Sequence, residues 1–266
     1  MSLEIIDWKA FLECPTPESS AITVGVFDGV HLGHRALIEL IVHRGPNPTV
    51  ISFRENPKKI ISPDSYDGDI FSLSQKVIYF ERLGVSRLVL IDFSENFSKL
   101  NGWEFFNLLE DRGKMAFLAV GSGFRCGFQQ KTGANFIKMM NERKGIPTEV
   151  VPPVEAAAGP VSSSRIIAAI ISGDLALAAA LMGRNFELEL LGVESTDFKP
   201  VLKDCRESVV YDLRSVRRIV PMRGQYQVMI HPGGNYCRAE AENGKVFLQS
   251  AEGSIENADI QSIEFV

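Results

Sequence analysis

The chain has 266 residues and a formal net charge of −5, from 28 basic and 33 acidic side chains. This acidic balance argues against a protein whose main task is non-specific binding to nucleic acid, because such proteins usually carry a basic excess. With 45% hydrophobic and 23% charged residues, the chain is expected to form a sizeable core, and global disorder is excluded.

No membrane or secretory segment is predicted. No stretch approaches the roughly 20 apolar residues that a spanning helix needs. The first 20 residues lack the basic and then apolar pattern of a secretory signal. Four scattered cysteines without a C-x-x-C pair predict reduced thiols: Cys14, Cys126, Cys205 and Cys237. We therefore expect a cytoplasmic protein with no membrane or nucleic-acid partner, for which a homo-oligomer is a compatible state.

Short apolar segments in the first two thirds of the chain predict buried strands at 21–26, 49–53, 87–92 and 116–121. Their apolarity is continuous rather than alternating, which is typical of a parallel sheet covered on both faces. Helical patterns lie at 35–42, 74–83 and 103–109. Alternating strands and helices predict an α/β fold with a doubly wound parallel sheet, in which ligands bind beyond the carboxyl ends of the strands.

The hydrophobic pattern of the sequence changes towards the C-terminus. A helical pattern at 165–182 is interrupted near Gly173, and Asp174 is expected to cap its second half. Runs with period two then predict antiparallel strands at 225–230, 236–241 and 245–249. We therefore predict two domains, residues 1–186 and a small antiparallel β-domain of residues 187–266.

Residues 25–34, with the sequence GVFDGVHLGH, lie between the first predicted strand and its helix. His31 and His34 are three residues apart and share a face if the helix has begun. Free backbone N–H groups and the helix dipole favour an anion there. Three glycines allow close approach to the backbone: Gly25, Gly29 and Gly33. The setting favours an adenine-nucleotide phosphate site over two alternatives, a capping or surface pair and a metal site that would lack an obvious third ligand.

A second cluster precedes the helical pattern at 165–182. Ser162, Ser163 and Ser164 supply hydroxyls, and Arg165 supplies a guanidinium group. Taken alone, this pattern fits an ordinary helix cap. Together with the histidine segment it fits a site for the terminal phosphates of a nucleoside triphosphate, which need further hydrogen-bond donors.

These segments resemble the bacterial FAD synthetase family, whose adenylyltransferase domain is usually fused to a riboflavin kinase. The family motif G-x-F-D-G-x-H-x-G-H is intact at 25–34, and S-S-T-R-I-R appears as SSSRII at 162–167. The segment V-G-x-D-F-R-F-G appears at 120–127, T-F-x-P-H-P at 52–57, and F-x-x-x-F-x-x-L at 93–100. Since H-x-G-H alone also fits cytidylyltransferases, the order of the segments is what favours the flavin family.

The resemblance implies a Rossmann-like nucleotidyltransferase fold and transfer of AMP from ATP to FMN, giving FAD and pyrophosphate. His31 and His34 would bind the α-phosphate, and Arg165 would hold the departing pyrophosphate with Ser162 and Ser163. Mg²⁺ would arrive with ATP, so no resident metal is expected. Further nucleotide contacts are assigned to Gly25, Phe27, Asp28, Gly33 and Ser164. For Asp28, a turn-forming role and a ligand contact both remain open.

The flavin side is assigned to Asn56, Gly123, Phe124 and Arg125, and Phe124 could instead be a core residue. Three positions depart from the family pattern: Asn56 replaces a histidine, Gly123 an acidic residue and Ile167 an arginine. Each departure removes a polar group. One lost charge-assisted hydrogen bond costs about 1.5–3 kcal/mol, which weakens binding without requiring inactivity.

The C-terminal segment departs further, because the kinase signature G-F-P-T-A-N is absent from 185–220. We therefore predict no riboflavin kinase activity and a degenerate kinase-like β-barrel. Two alternatives remain open: nucleotidyl transfer to another phosphorylated acceptor, and a non-catalytic flavin or nucleotide-binding protein. The main hypothesis expects the two imidazoles and the Arg165 guanidinium to converge on one triphosphate.

Overall fold

The computed structural model describes residues 2–93, 95–198, 208–249 and 260–266. Contacts divide the chain into two compact units. The first unit comprises Met1–Tyr66 and Leu73–Glu155, and the second comprises Asp67–Ser72 and Ala156–Val266.

The first unit is built on a six-stranded parallel sheet. Its strands are β1 (Glu4–Asp7), β2 (Ser20–Val24), β3 (Thr49–Phe53), β4 (Arg87–Ile91), β5 (Met115–Gly121) and β8 (Thr148–Val151), and a short ribbon is formed by β6 (Arg125–Cys126) and β7 (Thr132–Gly133). The sheet order is β1-β4-β3-β2-β5-β8. The four predicted strands are confirmed. The two edge strands β1 and β8 were not predicted, because each is only four residues long and includes at least one acidic side chain, so its apolar signal is weak.

Seven helices are described in this unit: α1 (Trp8–Glu13), α2 (Leu32–Arg44), α3 (Lys58–Ile61), α4 (Leu73–Arg82), α5 (Glu95–Lys99), α6 (Gly102–Gly113) and α7 (Ala134–Arg143). The three predicted helices correspond to α2, α4 and α6. Helix α6 begins with a capping box: the Glu104 backbone N–H donates to the Asn101 side chain, and the Asn101 backbone N–H donates to the Glu104 carboxylate. Apolar side chains of the sheet, such as the fully buried Ile22 and Leu118, pack against Phe11 and Leu109 from the helices.

The direction of the chain reverses beside β2. From β2 the chain moves outward to β3 and then β4, whereas β5 lies on the opposite side of β2. In a parallel sheet, the carboxyl ends of the two strands that flank such a reversal border the crevice in which ligands bind. The segments that follow β2 and β5 therefore border the crevice in which a ligand is expected.

The second unit contains two helices and a seven-stranded antiparallel sheet. The helices are α8 (Ser163–Ile171) and α9 (Leu175–Met182). The strands are β9 (Glu187–Glu189), β10 (Ser195–Phe198), β11 (Ser208–Asp212), β12 (Gly224–His231), β13 (Tyr236–Glu242), β14 (Lys245–Gln249) and β15 (Ser262–Phe265), in the order β10-β11-β14-β13-β12-β15-β9. The three strands predicted from period-two runs are confirmed as β12, β13 and β14.

The break between α8 and α9 lies where the sequence predicts it, and Asp174 accepts a hydrogen bond from the Leu177 backbone at 3.0 Å. Gly173 has a φ of +80°, and a Cβ there would lie 3.0 Å from Met222 and 3.1 Å from the Tyr226 hydroxyl. This close approach packs the helix pair against the C-terminal strands. Contacts thus group both helices with those strands, whereas the sequence analysis placed them before residue 186. The domain boundary stays a prediction.

The predicted architecture, a doubly wound parallel sheet followed by a small antiparallel sheet, is confirmed. Within the described ranges, no helix has both the length and the apolar character to cross a membrane. Cys14, Cys126 and Cys237 are free thiols. Cys205 lies outside the described residues.

Candidate functional site

A tight turn joins β2 to α2. Phe27, Gly29 and Val30 have positive φ values of 54°, 75° and 35°. Such backbone angles are easily adopted by glycine and are costly for residues with a Cβ, so the turn depends on the packing around it. Asp28 within it is only 4% exposed. A turn-forming role and a ligand contact for this carboxyl remain compatible with the fold.

His31 is the cap of α2. Its Nδ1 accepts a hydrogen bond from the His34 backbone N–H at 3.3 Å, and the residue is 5% exposed. An Nδ1 that accepts places the proton of the neutral ring on Nε2, which makes that nitrogen a donor. The capping role that the sequence left as an alternative is therefore present, and it fixes the tautomer and the direction of the ring.

His34 stacks directly on His31. The two ring centroids are 3.6 Å apart, with 15° between the planes. Phe27 contacts the His34 ring edge-on at 5.1 Å and contacts Phe80 at 5.7 Å. The two imidazoles are thus held as a pair in the first turn of α2.

Phe27 and Gly25 support this pair. The Phe27 side chain is fully buried, and a Cβ on Gly25 would lie 3.1 Å from its ring. Gly25 therefore leaves room for the ring that packs against His34. Direct contacts of Phe27, Gly25 and Gly33 with a nucleotide stay predictions.

Three phenylalanines cluster after the carboxyl ends of two neighbouring strands. Phe53 ends β3, Phe93 follows β4, and Phe97 lies on α5. Their ring centroids are 5.9–6.1 Å apart, and all three side chains are half-buried. The sequence analysis did not assign them to a site. A phenylalanine at or near the carboxyl end of each of two strands was the signal that could have identified them.

Gly123, Phe124 and Arg125 follow β5 at the other side of the chain reversal. The Phe124 N–H donates to the Gly121 carbonyl at 2.9 Å, and its half-buried ring contacts Phe106 at 6.4 Å. Gly123 is exposed, and a Cβ added there would meet no atom within 4 Å. The family's acidic side chain would therefore fit at position 123, so its absence is a chemical change and not a steric requirement.

Asn56 is buried, with 8% of its surface exposed, and its side-chain oxygen accepts a hydrogen bond from the Lys58 backbone at 3.2 Å. This bond lies at the start of α3, so the amide supports local structure where the family pattern has histidine. Its predicted flavin contact, like that of Arg125, stays a prediction.

The serine cluster lies in the second unit, at the start of α8. Ser162 is the cap, and its hydroxyl oxygen accepts a hydrogen bond from the Arg165 backbone at 3.3 Å. Ser162 and Ser164 are exposed, and Ser163 is half-buried. The hydroxyl groups therefore lie at the N-terminus of a helix, where the helix dipole favours anions.

The Arg165 guanidinium is bonded to carbonyl oxygens of its own loop. Its Nη1 donates to Ala156 at 3.0 Å and to Pro160 at 3.1 Å, and its Nη2 donates to Ala157. Binding of pyrophosphate by this group would have to replace or share these bonds. The histidines belong to the first unit and Arg165 to the second. Their convergence on one triphosphate stays a prediction.

In the described part of the chain, no group of three or more His, Cys, Asp or Glu residues is arranged to hold a metal ion. Burial raises the pKa of the Cys126 thiol to about 12 and that of Cys237 to about 11. Both thiols are therefore protonated near neutral pH and are poor nucleophiles.

A family model described as FAD synthetase matches residues 14–165, more than half of the chain. The chain belongs to the FAD synthetase family. The predicted family and its enzyme class, the nucleotidyltransferases, are thereby confirmed. The match covers the β2–α2 turn, both histidines and the start of α8.

Curated relatives are named bifunctional riboflavin kinase/FMN adenylyltransferase. The relative from Buchnera aphidicola subsp. Acyrthosiphon pisum (strain APS) is 25% identical over 175 residues, which cover 64% of this chain and 56% of the relative. The relative from Escherichia coli (strain K12) is 26% identical, covering 80% of this chain and 68% of the relative. The relative from Pseudomonas fluorescens is also 26% identical, covering 83% of this chain and 71% of the relative.

Among solved structures, a protein from Streptococcus pneumoniae described as a macrolide-efflux protein has a TM-score of 0.77 to this chain. The two are 22% identical, and the match covers 100% of this chain and 89% of the other. At this identity the likeness concerns the fold alone.

Proposed function

We propose that this protein transfers AMP from ATP to FMN, giving FAD and pyrophosphate, without riboflavin kinase activity. The observation that carries the proposal is the stacked pair of His31 and His34 at the start of α2. This pair follows β2, one of the two strands that flank the reversal of the chain, where α/β sheets bind their ligands. Family membership supports the reaction class, and the stacked imidazoles support the assignment of the phosphate to this helix start.

The reaction needs no covalent enzyme intermediate. A phosphate oxygen of FMN attacks the α-phosphorus of ATP in line, the new P–O bond forms, and the bond to the β-phosphate bridging oxygen breaks. The electron pair of that bond leaves with pyrophosphate, and Mg²⁺ enters as part of the ATP substrate. The protein's task is to hold the groups in line and to stabilise the developing charge.

His31 and His34 are assigned to the α-phosphate. The His31 Nε2–H is a donor because its Nδ1 is occupied by the backbone of α2. Stacking gives His34 a fixed position beside it, so both rings are positioned before the substrate arrives. This preorganisation is what makes a donor effective on charge that appears only in the transition state.

The start of α8 is assigned to the departing pyrophosphate. The hydroxyls of Ser162, Ser163 and Ser164 can donate hydrogen bonds, and the backbone N–H groups of the first turn add to them. The Arg165 guanidinium lies at the same helix start but is bonded to its own loop.

The flavin ring is assigned to the aromatic cluster of Phe53, Phe93 and Phe97, together with Phe124 and Arg125. Half-buried aromatic rings favour stacking with a planar aromatic ligand. Because Gly123 and Ile167 lack the charged groups of the family pattern, and Asn56 has an amide in place of an imidazole, we expect weaker flavin or nucleotide binding than in a chain with the full family pattern.

The decisive experiment incubates the purified chain with FMN, ATP and Mg²⁺ and measures FAD and pyrophosphate by chromatography. We expect both products in equal amounts. A parallel incubation with riboflavin in place of FMN should give no FMN, because the kinase signature is absent from residues 185–220. Formation of FMN from riboflavin would contradict the absence of kinase activity.

The same assay separates the alternatives. Turnover of another phosphorylated acceptor, with ATP or CTP and not with FMN, would indicate a nucleotidyltransferase of different specificity. Tight FMN binding without turnover across several divalent metals would indicate a non-catalytic flavin-binding protein.

A further inference from the structure

The loop before α8 has a backbone conformation that its sequence disfavours. Ala157 and Ala158 have φ values of 49° and 57°. Both residues carry a Cβ, and the left-handed region is unfavourable for such residues, most of all when two of them are consecutive. Something in the surrounding structure must therefore hold this loop.

Arg165 supplies the bonds that hold it. The guanidinium donates to the carbonyls of Ala156, Ala157 and Pro160, which span the loop from its first residue to its last. A backbone bond from the Ala156 N–H to the Gly159 carbonyl, at 3.0 Å, closes the turn beneath it. A Cβ on Gly159 would lie 3.2 Å from Arg165 Nη1, so the glycine gives the guanidinium room.

The same residue is tied to the helix start. The Arg165 backbone N–H donates to the hydroxyl oxygen of Ser162, while its side chain reaches back over residues 156–160. Backbone and side chain of one residue thus connect the loop to the first turn of α8. Three of the five N–H donors of a guanidinium are used in these carbonyl bonds.

We propose that Arg165 is a positioning residue: it holds the loop of residues 156–160 in its strained form and so fixes the start of α8, with Ser162–Ser164, for phosphate binding. It does so without contacting the phosphates itself. The functional part rests on the proposed adenylyl transfer, whereas the structural part depends on the bonds of Arg165 alone.

This role and a direct phosphate contact predict different results for lysine. A lysine keeps the positive charge that a phosphate contact needs, but a single ammonium group cannot reproduce a planar fork that bonds three carbonyls. Arg165→Lys should therefore behave like Arg165→Ala if the residue holds the loop, and should retain much of the activity if it binds phosphate.

Glycine at the two strained positions gives a rescue test. Because glycine adopts positive φ readily, the change of Ala157 and Ala158 to glycine makes the loop conformation less dependent on Arg165. We expect Arg165→Ala to lower kcat/KM about 30-fold, and the triple variant with both glycines to recover about tenfold, a change of about 1.4 kcal/mol. A missing phosphate contact would not be restored by glycine.

Hydrogen exchange measured by mass spectrometry reports on the opening of the loop and needs no enzymatic activity. On the full chain, Arg165→Ala and Arg165→Lys should each speed exchange in peptides covering 154–166 by about tenfold or more. Arg223→Ala is the control, because Arg223 is an exposed partner of Glu242 in the same unit and should leave these peptides unchanged. Unchanged exchange in β12–β14 checks that each variant is folded.

The outcomes are distinct. Unaltered exchange at 154–166 in both Arg165 variants overturns the holding role, whatever the activity. Faster exchange with full activity overturns the link from the loop to phosphate binding. If the unmodified chain makes no FAD, the proposed function fails, yet the exchange measurements still decide whether Arg165 holds the loop.

Discussion

The starts of α2 and α8 both match a sequence pattern for binding anions, and they use their polar side chains differently. At α2 the capping group is the His31 imidazole, so the residue assigned to chemistry also fixes the helix. At α8 the cap is Ser162, and the Arg165 guanidinium is bonded to its own loop. On the proposed assignments, a cap and a ligand-binding group are not alternatives at α2, and the cation near the start of α8 holds a loop instead of an anion.

The support beneath the two helix starts differs as well. The α2 pair is backed by the buried ring of Phe27, which itself contacts Phe80 in the core. The α8 start is held by hydrogen bonds to a loop that contains two strained alanines. Closely packed apolar side chains have little room to move, so the start of α2 should be more rigid than the start of α8.

The largest expected effect comes from removing the imidazoles. His31→Ala together with His34→Ala should lower the rate of FAD formation at least about 10³-fold, because loss of one preorganised donor alone costs roughly 10²–10³ in rate. His43→Ala is the matched control, since His43 lies in the last turn of the same helix and is exposed. Comparable rates for the double variant and the control would remove the histidines from the mechanism.

His31→Asn separates capping from chemistry. Asparagine is a good cap residue but has no imidazole, so the cap is kept and the loss of the buried, stacked ring should lower the free energy of unfolding by about 1 kcal/mol. The rate should nevertheless fall about 10²-fold. Denaturant titration and the FAD assay measure the two effects, and a variant that stays fully active would mean that His31 serves only as a cap.

A smaller effect is expected from the ring that supports His34. Phe27→Leu keeps apolar bulk and should lower the free energy of unfolding by about 1 kcal/mol. The loss of the ring contact should lower the rate about tenfold, since small misplacement of a catalytic group is costly. Phe11→Leu is the control, because it removes similar bulk from the buried core of the same unit and leaves the Phe27–His34 contact in place. If both variants lose equal activity, the contact with His34 has no special role.

The smallest effect concerns alkaline pH. Burial raises the folded-state pKa of Cys126 to about 12 and of Cys237 to about 11, above the roughly 8.5 of an unfolded thiol. Above about pH 8.5 the unfolded chain loses thiol protons that the folded chain keeps. The free energy of unfolding should therefore decline as the pH rises from about 8.5 towards these values. Urea midpoints should fall between pH 8 and pH 10.5, and Cys126→Ala should flatten this dependence. A slope that Cys126→Ala leaves unaltered would contradict the assignment.

Much of the fold could be predicted because its signals are local. Continuous apolar runs identified the central strands β2 to β5, and alternation identified β12 to β14. Asp174 marked the start of α9 by the capping chemistry of a short side chain. The edge strands β1 and β8 were not predicted, because short strands with acidic residues are stabilised by pairing with a neighbouring strand, which their own hydrophobic pattern does not show.

The site was less predictable for the same reason. The spacing of His31 and His34 indicated a shared face, but their stacking depends on Phe27, whose conformation is imposed by the turn and by Phe80. The bonds of Arg165 to residues 156–160 depend on a loop whose positive φ values no local preference of alanine predicts.

The most direct test of the central claim follows the two ends of ATP through the reaction. With FMN and ATP labelled at the α-phosphate, the label should appear in FAD. With ATP labelled at the γ-phosphate, it should appear in pyrophosphate, and His31→Ala with His34→Ala should abolish both. Label from the γ-phosphate in a flavin product, or undiminished labelling of FAD by the double variant, would contradict adenylyl transfer at the histidine pair.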